Sequence, residues 1–268
     1  MAGAGPMGHE GRQVLILGAS SGLGAGIARA FAAAGAQVTG VHLDRRAAGP
    51  AVDALVHELS AQGRPARFHN LNAADPANRA AVVQGLAAGP GRVDVLVHSL
   101  AFGTLRPFVA HPDGDAPIST ARNIEMTLDV MAHSLVYWTQ DLVQAGLLGP
   151  GGRVYALTSS GGQRALPSYG PVSAAKAALE AHVRQLALEL APRQITVNAI
   201  MAGVTDTPAL EKIPGADELK ARARARNPHG RLTRPEDVAA CLVELARPGT
   251  HWLTGNVLRV DGGEDACA

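Results

Sequence analysis

A glycine-rich turn that follows a short apolar run constrains the fold of this chain more than any other feature of the sequence. Residues 14–17 form a continuous apolar run, as expected for a strand that is buried on both faces. The turn Gly18-Ala-Ser-Ser-Gly-Leu-Gly24 comes next, and the alanine-rich stretch 26–34 has the composition of a helix that Gly35 closes. Gln37–His42 is then predicted as a second strand. The chain therefore begins with a strand, a turn, a helix and another strand.

This unit predicts a site for the phosphates of a dinucleotide. Glycines let the backbone turn tightly and approach a pyrophosphate closely, and the N-terminus of the following helix favours its negative charge. A strand, glycine turn and helix within about 30 residues is the context that such a site requires. A glycine turn that serves only packing is the alternative that the turn alone leaves open.

The rest of the chain alternates between helical and strand periodicity. This alternation predicts a parallel sheet with right-handed crossovers, and hence an α/β doubly wound, Rossmann-like fold with helices on both faces. No composition shift marks a second domain, so we expect a single domain over residues 12–264, with flexible tails at 1–11 and 265–268. Further helices are predicted at 51–62, 76–88, 118–146, 168–190 and 234–246, and further strands at 66–71, 93–97, 152–157, 195–200 and 257–260.

Composition limits the classes of function. Of 268 residues, 47% are hydrophobic and 18% are charged, so a sizeable core is expected. The net charge of +1 provides no field that would attract nucleic acid or an anionic membrane, and no apolar run reaches the length of about 18 residues that spans a bilayer. Cys241 and Cys267 are far apart and are expected to be free thiols in a reducing compartment, so the predicted location is cytoplasmic. The histidines are scattered without a metal-binding spacing.

A lysine lies on the apolar face of the predicted helix 168–190. Leu179 and Val183 recur at helical spacing, and Lys176 falls on the face that they form. Tyr169 precedes Lys176 by seven residues, about two helical turns, and lies near the same azimuth. A snorkelling lysine beside a core tyrosine would produce this pattern, and so would a catalytic pair. The stretch alone leaves both interpretations open.

Further motifs follow the glycine turn in a fixed order. They are 93–97 (VDVLV), Ser159 with Ser160, Tyr169, Lys176, 197–199 (VNA) and 260–263 (VDGG). With these motifs the chain resembles the short-chain dehydrogenase/reductase family over nearly its whole length. The resemblance implies hydride transfer between a nicotinamide dinucleotide and a small substrate.

The spacing between the tyrosine and the lysine departs from the usual pattern of that family. The residue four after Tyr169 is Ser173, whereas the family usually has its lysine there. The six residues between Tyr169 and Lys176 are similar to the enoyl-acyl carrier protein reductase branch, as is 98–102 (HSLAF). Met131 stands where ordinary members carry an active-site asparagine. This branch implies reduction of an α,β-unsaturated acyl thioester.

Ser159 departs from the pattern of many enoyl reductases. Many enoyl reductases have a second tyrosine ten residues before the first, and this chain has Ser159 at that position. A serine there resembles a sub-branch of bacterial enoyl reductases and also the catalytic serine of ordinary members. Whether C=C or C=O is reduced therefore stays open, and a carbonyl reductase or alcohol dehydrogenase is the alternative. A third interpretation is a cofactor-binding sensor without turnover, against which the retention of Tyr169 and Lys176 argues.

The resemblance implies a role for each candidate catalytic residue. Hydride transfer leaves negative charge on the substrate oxygen, and Tyr169 is expected to stabilise that oxygen as a hydrogen-bond donor. Lys176 is expected to bind the nicotinamide ribose and to add a positive field, since about two turns of helix separate it from the phenol. Ser159 is expected to hydrogen-bond the substrate oxygen or the tyrosine, with Ser160 as the less favoured candidate.

The expected cofactor is NADPH, with NADH as the alternative. An acid at the end of the second strand would bind a ribose diol and repel a 2′-phosphate, but that position is His42. Asp44 follows it, and Arg45 and Arg46 suit a phosphate, although a solvated turn would also explain them. The remaining cofactor contacts implied by the resemblance are Gly18, Ser20, Ser21, Gly22, Leu23, Gly24, Asn72, Ser99, Val204, Thr205 and Thr207.

Residues 207–231 are expected to form a mobile substrate lid, because prolines and glycines interrupt them. The candidate substrate contacts in the lid are Leu210, Ile213 and Leu219. Arg222, Arg224 and Arg226 alternate along it, and a carrier-arm phosphate or an acidic acyl carrier protein is one explanation for them. A solvated helix face is the commoner explanation. Family members usually pair through helices that correspond to 126–146 and 169–190, so a homodimer or homotetramer is expected.

Overall fold

The apolar run near the start of the chain forms an inner strand of a parallel sheet. The structure is a computed structural model that describes residues 8–112 and 116–267. Its strands are β1 (Gln13–Leu17), β2 (Gln37–His42), β3 (Arg67–Asn70), β4 (Val95–His98), β5 (Arg153–Ser159), β6 (Thr196–Ala202) and β7 (Val257–Val260). All neighbouring strands are parallel, in the order β3-β2-β1-β4-β5-β6-β7. The predicted doubly wound α/β fold is confirmed.

Helices connect the strands, as the alternating periodicity predicts. They are α1 (Gly22–Ala33), α2 (Gly49–Ser60), α3 (Pro76–Ala88), α4 (Ala121–Leu128), α5 (Ser134–Gln144), α6 (Gly170–Leu190), α7 (Ala216–Arg226) and α8 (Pro235–Leu245). None of these helices is both long and apolar enough to cross a membrane. Most predicted boundaries lie within two residues of the observed ones.

Helices cover both faces of the sheet. On one face α1 and α8 pack through buried side chains such as Ile27 and Leu242. On the other face α5 and α6 pack through Trp138 and Leu179. The carboxyl ends of β1, β4, β5 and β6 therefore meet at one edge, which is where ligands bind in sheets of this kind.

Helix α1 begins at Gly22, earlier than the predicted start at residue 26. The glycines of its first turns permit close packing. A Cβ at Gly24 would lie 1.9 Å from the carbonyl oxygen of Gly18, and one at Gly26 would lie 2.6 Å from the Cβ of Pro235. The prediction assigned Gly22 and Gly24 to the turn, whereas the structure includes both in the first turn of α1.

The predicted helix 118–146 is shorter at both ends and is interrupted. Thr120 caps α4, since its hydroxyl accepts a hydrogen bond from the backbone N–H of Asn123 at 3.2 Å. A π-helical turn, Asp129–His133, then separates α4 from α5. Met131 lies in this turn. Single π turns inside helices are frequent at functional sites, and a simple periodicity does not reveal them.

The described residues near each end of the chain have defined contacts. Residues 1–7 and 268 lie outside the described residues. His9 is buried, and its Nε2 lies 2.8 Å from the carbonyl oxygen of Val243. Asp265 forms an ion pair with Arg164 at 2.5 Å. Flexible tails were predicted at 1–11 and 265–268, and within them His9 and Asp265 contact residues that are distant in sequence.

Candidate active site

The glycine turn lies where β1 meets the ends of its two neighbouring strands. Gly18 has φ +86°, and its backbone N–H donates to the carbonyl oxygen of Val41 in β2 at 2.7 Å. A Cβ at Gly18 would lie 2.4 Å from the carbonyl oxygen of Ser99, which follows β4. Glycine is therefore required here by both conformation and space. Two predicted cofactor contacts, Gly18 and Ser99, are adjacent.

The N-terminus of α1 fits the pyrophosphate of a dinucleotide. Ser21 is the N-cap residue but makes no side-chain cap bond, and the first turn has no acidic side chain. The first backbone N–H groups of the helix therefore remain donors for an anion. Gly22 has φ +53°, and a Cβ there would lie 3.1 Å from the methyl group of Thr207. Ser20 and Leu23, on either side, are partly exposed at the same turn.

His42 occupies the position that is predicted to discriminate between cofactors. Its side chain is buried at the end of β2, and its Nδ1 lies 2.8 Å from Oδ2 of Asp44. The side chain of Asn70 accepts a hydrogen bond from the backbone N–H of Asp44 at 3.0 Å. Arg45 and Arg46 are exposed beside this pair. The acid nearest the ribose position is thus already hydrogen-bonded, and two guanidinium groups lie next to it.

Asn72 lies just beyond the end of β3, and its side chain is exposed. Its Oδ1 accepts a hydrogen bond from the backbone N–H of Ala74 at 3.0 Å. This bond fixes the side chain at the carboxyl edge of the sheet, where the resemblance places a contact with adenine.

Tyr169 and Ser159 lie side by side. Tyr169 directly precedes α6 and is buried; burial raises the pKa of its phenol, and a hydrogen bond with Ser159 opposes that rise. The Ser159 Oγ is itself buried and has no partner with full hydrogen-bonding geometry in the described part of the chain, so the two hydroxyls are close but imperfectly aligned. A Cβ at Gly161 would lie 2.6 Å from Tyr169 Cε1 and 3.3 Å from Ser159 Oγ. Ser160 begins the short 3₁₀ turn that contains Gly161.

Lys176 is buried, with 7% of its surface exposed. Its Nζ donates a hydrogen bond to the carbonyl oxygen of Leu157 at 2.6 Å. Burial lowers the pKa of Lys176 to about 8, and the negative charge of Glu180 opposes this shift. A snorkelling lysine would carry its ammonium group to water, so that interpretation is wrong. Two further N–H donors of the ammonium remain for a ligand.

His98 lies at the end of β4 and is completely buried. Its Nε2 lies 2.8 Å from Ser134 Oγ, and the Ser134 hydroxyl donates to the carbonyl oxygen of Val130 at 2.7 Å. Because a hydroxyl has one proton, His98 Nε2 is the donor of the first bond. Burial, with a smaller effect of Lys176, lowers the pKa of His98 to about 3. His98 is therefore a neutral group in the wall of the site.

The loop after β6 faces the glycine turn and is held by the C-terminal segment. The backbone N–H of Val204 donates to the carboxylate of Glu264 at 3.0 Å, and the Thr205 hydroxyl donates to the carbonyl oxygen of Gly203 at 2.9 Å. Burial raises the pKa of Glu264, and the hydrogen bond from Val204 opposes this rise. The predicted cofactor contacts Val204, Thr205 and Thr207 thus lie in one fixed loop.

The predicted lid contains a 3₁₀ turn, Leu210–Lys212, and helix α7, which was not predicted. Leu210 is buried, Leu219 is partly exposed, and Ile213 packs against the hydrophobic cluster that contains Tyr169. The prolines and glycines that suggested a broken segment lie on either side of α7 rather than inside it. The residues of α7 are mainly polar, so the sequence shows no apolar periodicity that would predict this helix.

The alternating arginines of α7 do not share one surface. Arg222 pairs with Glu218 one turn earlier at 2.5 Å. Arg226 instead donates to the carbonyl oxygen of Glu264 at 2.9 Å. Arg224 lines a separate cavity next to Asp206.

Four residues that shape the site were missed by the sequence reasoning, namely Thr158, Glu180, Glu264 and Asp265. Glu180 is buried although its charge suggests an exposed helix position. Asp265 forms ion pairs with Arg164, Arg226 and Arg259, although composition suggested a loose tail. The VDGG motif just before Glu264 was the available signal, because it fixes the chain next to the loop after β6.

Known proteins match this chain over nearly its whole length. The family model described as "Enoyl-(Acyl carrier protein) reductase" matches residues 18–264. The 3-oxoacyl-[acyl-carrier-protein] reductase of Thermotoga maritima is 31% identical over 258 residues, which cover 95% of this chain and 98% of that protein.

Two solved structures are similar over nearly their whole lengths. An enoyl-(acyl carrier protein) reductase from Anaplasma phagocytophilum in complex with NAD has a TM-score of 0.83 and 26% identity, covering 99% of this chain and 95% of that one. A short-chain dehydrogenase from Burkholderia cenocepacia in complex with NADP has a TM-score of 0.81 and 30% identity, covering 96% and 99%.

The doubly wound sheet, the glycine turn and the buried tyrosine–lysine pair define a Rossmann-like oxidoreductase. The chain belongs to the short-chain dehydrogenase/reductase family, in the group that the enoyl-(acyl carrier protein) reductase model describes. The predictions of an enzyme of this family and of a nicotinamide dinucleotide as its cofactor class are confirmed.

Proposed function

We propose that this protein is an NADPH-dependent reductase of α,β-unsaturated acyl thioesters. The observation that carries the proposal is the placement of Tyr169 directly before α6, with Lys176 two turns into the helix and Ser159 beside the phenol. This placement follows from the six-residue spacing that resembles enoyl reductases. The family model supports the same reaction class.

Tyr169 is the hydrogen-bond donor of the proposed reaction. When bound, NADPH would supply a hydride to the β-carbon of the substrate, and the electron pair of the C=C bond would move toward the thioester oxygen. The raised pKa of Tyr169 keeps the phenol protonated at neutral pH, so it can donate to that oxygen as negative charge develops. Ser159 Oγ, buried beside it, is a second group for the oxygen to contact. The α-carbon then takes a proton from solvent.

Lys176 supplies positive charge and ligand donors. Its ammonium is buried and held to the carbonyl of Leu157, so its field is screened less than that of an exposed lysine. We assign to its remaining N–H groups the ribose hydroxyls of the nicotinamide half of the cofactor.

Apolar side chains pack on the same face of the sheet as Tyr169. Leu105, Leu166 and Ile213 pack around the same cluster as Tyr169. The ring of Phe108 lies against Gly170, the first residue of α6, since a Cβ there would lie 2.3 Å from it. These groups suit the hydrocarbon part of an acyl thioester.

NADPH is favoured over NADH by the surroundings of Asp44. Its carboxylate contacts His42 and is therefore less free to bind a ribose diol. Arg45 and Arg46 are exposed at the same place, and a guanidinium group matches the geometry of a 2′-phosphate.

Carbonyl reduction is the second candidate, and Ser159 favours it. The contact between the Ser159 and Tyr169 hydroxyls resembles the serine–tyrosine pair of ordinary family members. The similarity to the Thermotoga maritima 3-oxoacyl reductase supports the same candidate. In that case the cofactor would supply its hydride to the carbonyl carbon, and Tyr169 would donate its proton to the oxygen that becomes the alkoxide.

We propose further that the protein is a cytoplasmic homodimer or homotetramer that acts on acyl carrier protein or coenzyme A thioesters. The exposed side of α6 carries the small residues Ala174, Ala177 and Ala181, which suit close packing of a second copy. Both cysteines, Cys241 and Cys267, are free thiols, which fits a reducing compartment.

Product analysis tests the proposed reaction. The protein would be incubated with NADPH and either crotonyl or acetoacetyl thioester, and the products identified by mass spectrometry. We expect the saturated butyryl thioester to form at least about tenfold faster than the 3-hydroxybutyryl thioester. Formation of the hydroxy product alone would replace the first candidate by the second.

A further inference from the structure

Glu180 is a buried carboxylate one helical turn beyond Lys176. Only 6% of its surface is exposed, and acids are rarely buried to this extent without a partner. Within the described residues no lysine, arginine or histidine nitrogen lies within ion-pair distance of it. The burial of this acid therefore needs another explanation.

The contacts of Glu180 lie on both sides of Ser159. The Thr158 hydroxyl donates to Glu180 Oε1 at 2.7 Å, and the Gln163 amide donates to Oε2 at 3.5 Å. Thr158 directly precedes Ser159, and Gln163 ends the 3₁₀ turn that follows it. One carboxylate thus holds both ends of the segment 158–163, which contains Ser159 and is called the Ser159 turn below.

Lys176 and Glu180 hold consecutive residues of β5. Lys176 binds the carbonyl of Leu157, and Glu180 binds the side chain of Thr158. These two contacts fix α6 against β5 immediately before Ser159. The Ser159 hydroxyl has no well-aligned bond of its own, so its position depends on this backbone support.

The supported turn lies against the tyrosine and the lysine. A Cβ at Gly161 would lie 2.6 Å from Tyr169 Cε1, and one at Gly162 would lie 3.1 Å from the Cβ of Lys176. A shift of a few tenths of an ångström in this turn would therefore move both side chains. Contacts that hold the turn also set the geometry of the catalytic groups.

The charge of Glu180 acts on Lys176. Burial lowers the pKa of that lysine to about 8, and Glu180 raises it. His98 on β4, whose pKa is lowered to about 3 by burial and to a smaller extent by the charge of Lys176, is uncharged at neutral pH. Glu180 is therefore the neighbouring group whose charge favours the ammonium form of Lys176.

We propose that Glu180 is a positioning residue of the active site, which holds the Ser159 turn against Tyr169 and provides the negative charge beside Lys176. This inference rests on the proposed function for its kinetic consequences. Its electrostatic consequence can be measured without any substrate.

The chain offers a direct measurement, because it contains only three lysines, Lys176, Lys212 and Lys220. Protein labelled with ¹³C and ¹⁵N in lysine would be titrated by NMR, with Lys176→Arg used to assign the signal. In Glu180→Gln we expect the pKa of Lys176 to fall by at least about half a unit, since an opposite charge is removed. Glu189→Gln, an exposed site on the same helix, should leave it unchanged.

Kinetics test the positioning role with whichever thioester or ketone the wild-type protein reduces. We expect Glu180→Ala to lower kcat at least about tenfold with little change in NADPH binding. Glu180→Gln should recover part of that loss near pH 6.5, because an amide oxygen still accepts from Thr158. Its alkaline limb should lie at lower pH than that of the wild type. If Glu180→Ala does not fold, Thr158→Val tests the same contact at constant side-chain volume and should lower kcat several-fold.

The outcomes separate the two proposals. A wild-type protein that reduces none of the substrates contradicts the proposed function, while the lysine titration still decides the role of Glu180. Folded Glu180 variants with the wild-type Lys176 titration, or with wild-type turnover on an active substrate, would overturn the inference.

Discussion

The ammonium group of Lys176 donates a hydrogen bond to the carbonyl oxygen of Leu157, with the two atoms 2.6 Å apart. This bond places a positive charge at the end of β5, in a region from which water is largely excluded. The cost of burial appears as a lysine pKa of about 8. Lys176 therefore loses its proton within the pH range in which enzymes are usually assayed.

The first prediction concerns pH. Because the charged lysine is the active form, kcat/KM should be maintained below pH 8 and lost as the pH rises through the lysine pKa of about 8. Arginine stays charged to beyond about pH 12, so Lys176→Arg should be slower at neutral pH but should lack this alkaline limb. Steady-state rates across the pH range check this. An unchanged limb in Lys176→Arg would assign the titration to another group.

The bond between Ser134 and His98 predicts a loss of stability. Ser134→Ala leaves the His98 Nε2–H donor buried without its acceptor and should lower the free energy of unfolding by about 1–3 kcal/mol. Thr139→Val on the same helix removes a buried hydroxyl that bonds to the carbonyl of Leu135, and it should cost less. Urea unfolding measures both variants. An equal loss of unfolding free energy in the two variants would show that the bond between His98 and Ser134 gives no additional stability.

Cofactor preference should depend on Arg45 and Arg46. Replacing both with alanine removes the guanidinium groups beside the ribose position and should weaken NADPH binding at least about fivefold, with NADH binding nearly unchanged. Arg64→Ala, at another exposed site, is the control. Fluorescence titration with each cofactor gives the two dissociation constants. Equal weakening for NADPH and NADH would refute a contact with the 2′-phosphate.

The fourth prediction concerns Asp265 and the lid. Its carboxylate pairs with Arg164 near the active site and with Arg226 in α7. Asp265→Ala should loosen α7, so trypsin should cut the 207–231 segment several-fold faster and the KM of the acyl substrate should rise. Asp217→Ala, exposed in α7 itself, is the matched control. Cleavage at the wild-type rate would mean that the ion pairs do not restrain the lid.

Much of the fold follows from local patterns in the sequence. The apolar run before Gly18, the glycine turn and the alternation of helices and strands predict the parallel sheet, because each pattern is set by local burial. The π turn at Asp129–His133 escaped prediction, since it changes the helical register without any proline or glycine. Helix α7 escaped because its residues are mainly polar.

Some residues of the candidate site can also be predicted from the sequence, and others cannot. Tyr169 and Lys176 stand out because their spacing along one helix is visible in the sequence. Glu180 and Asp265 do not, because their partners Thr158 and Arg164 are brought to them by the fold. The buried environment of Lys176 likewise depends on packing between α6 and β5, which no single stretch encodes.

The most direct test of the account is the turnover of Tyr169→Phe, which removes only the phenol hydroxyl. With saturating NADPH and the preferred substrate, we predict turnover lowered at least about tenfold, with the fold and NADPH binding retained. Tyr137→Phe, whose hydroxyl bonds to Asp129 instead, should retain the wild-type rate. Near-normal turnover of Tyr169→Phe would contradict the assignment of Tyr169 as the donor to the substrate oxygen.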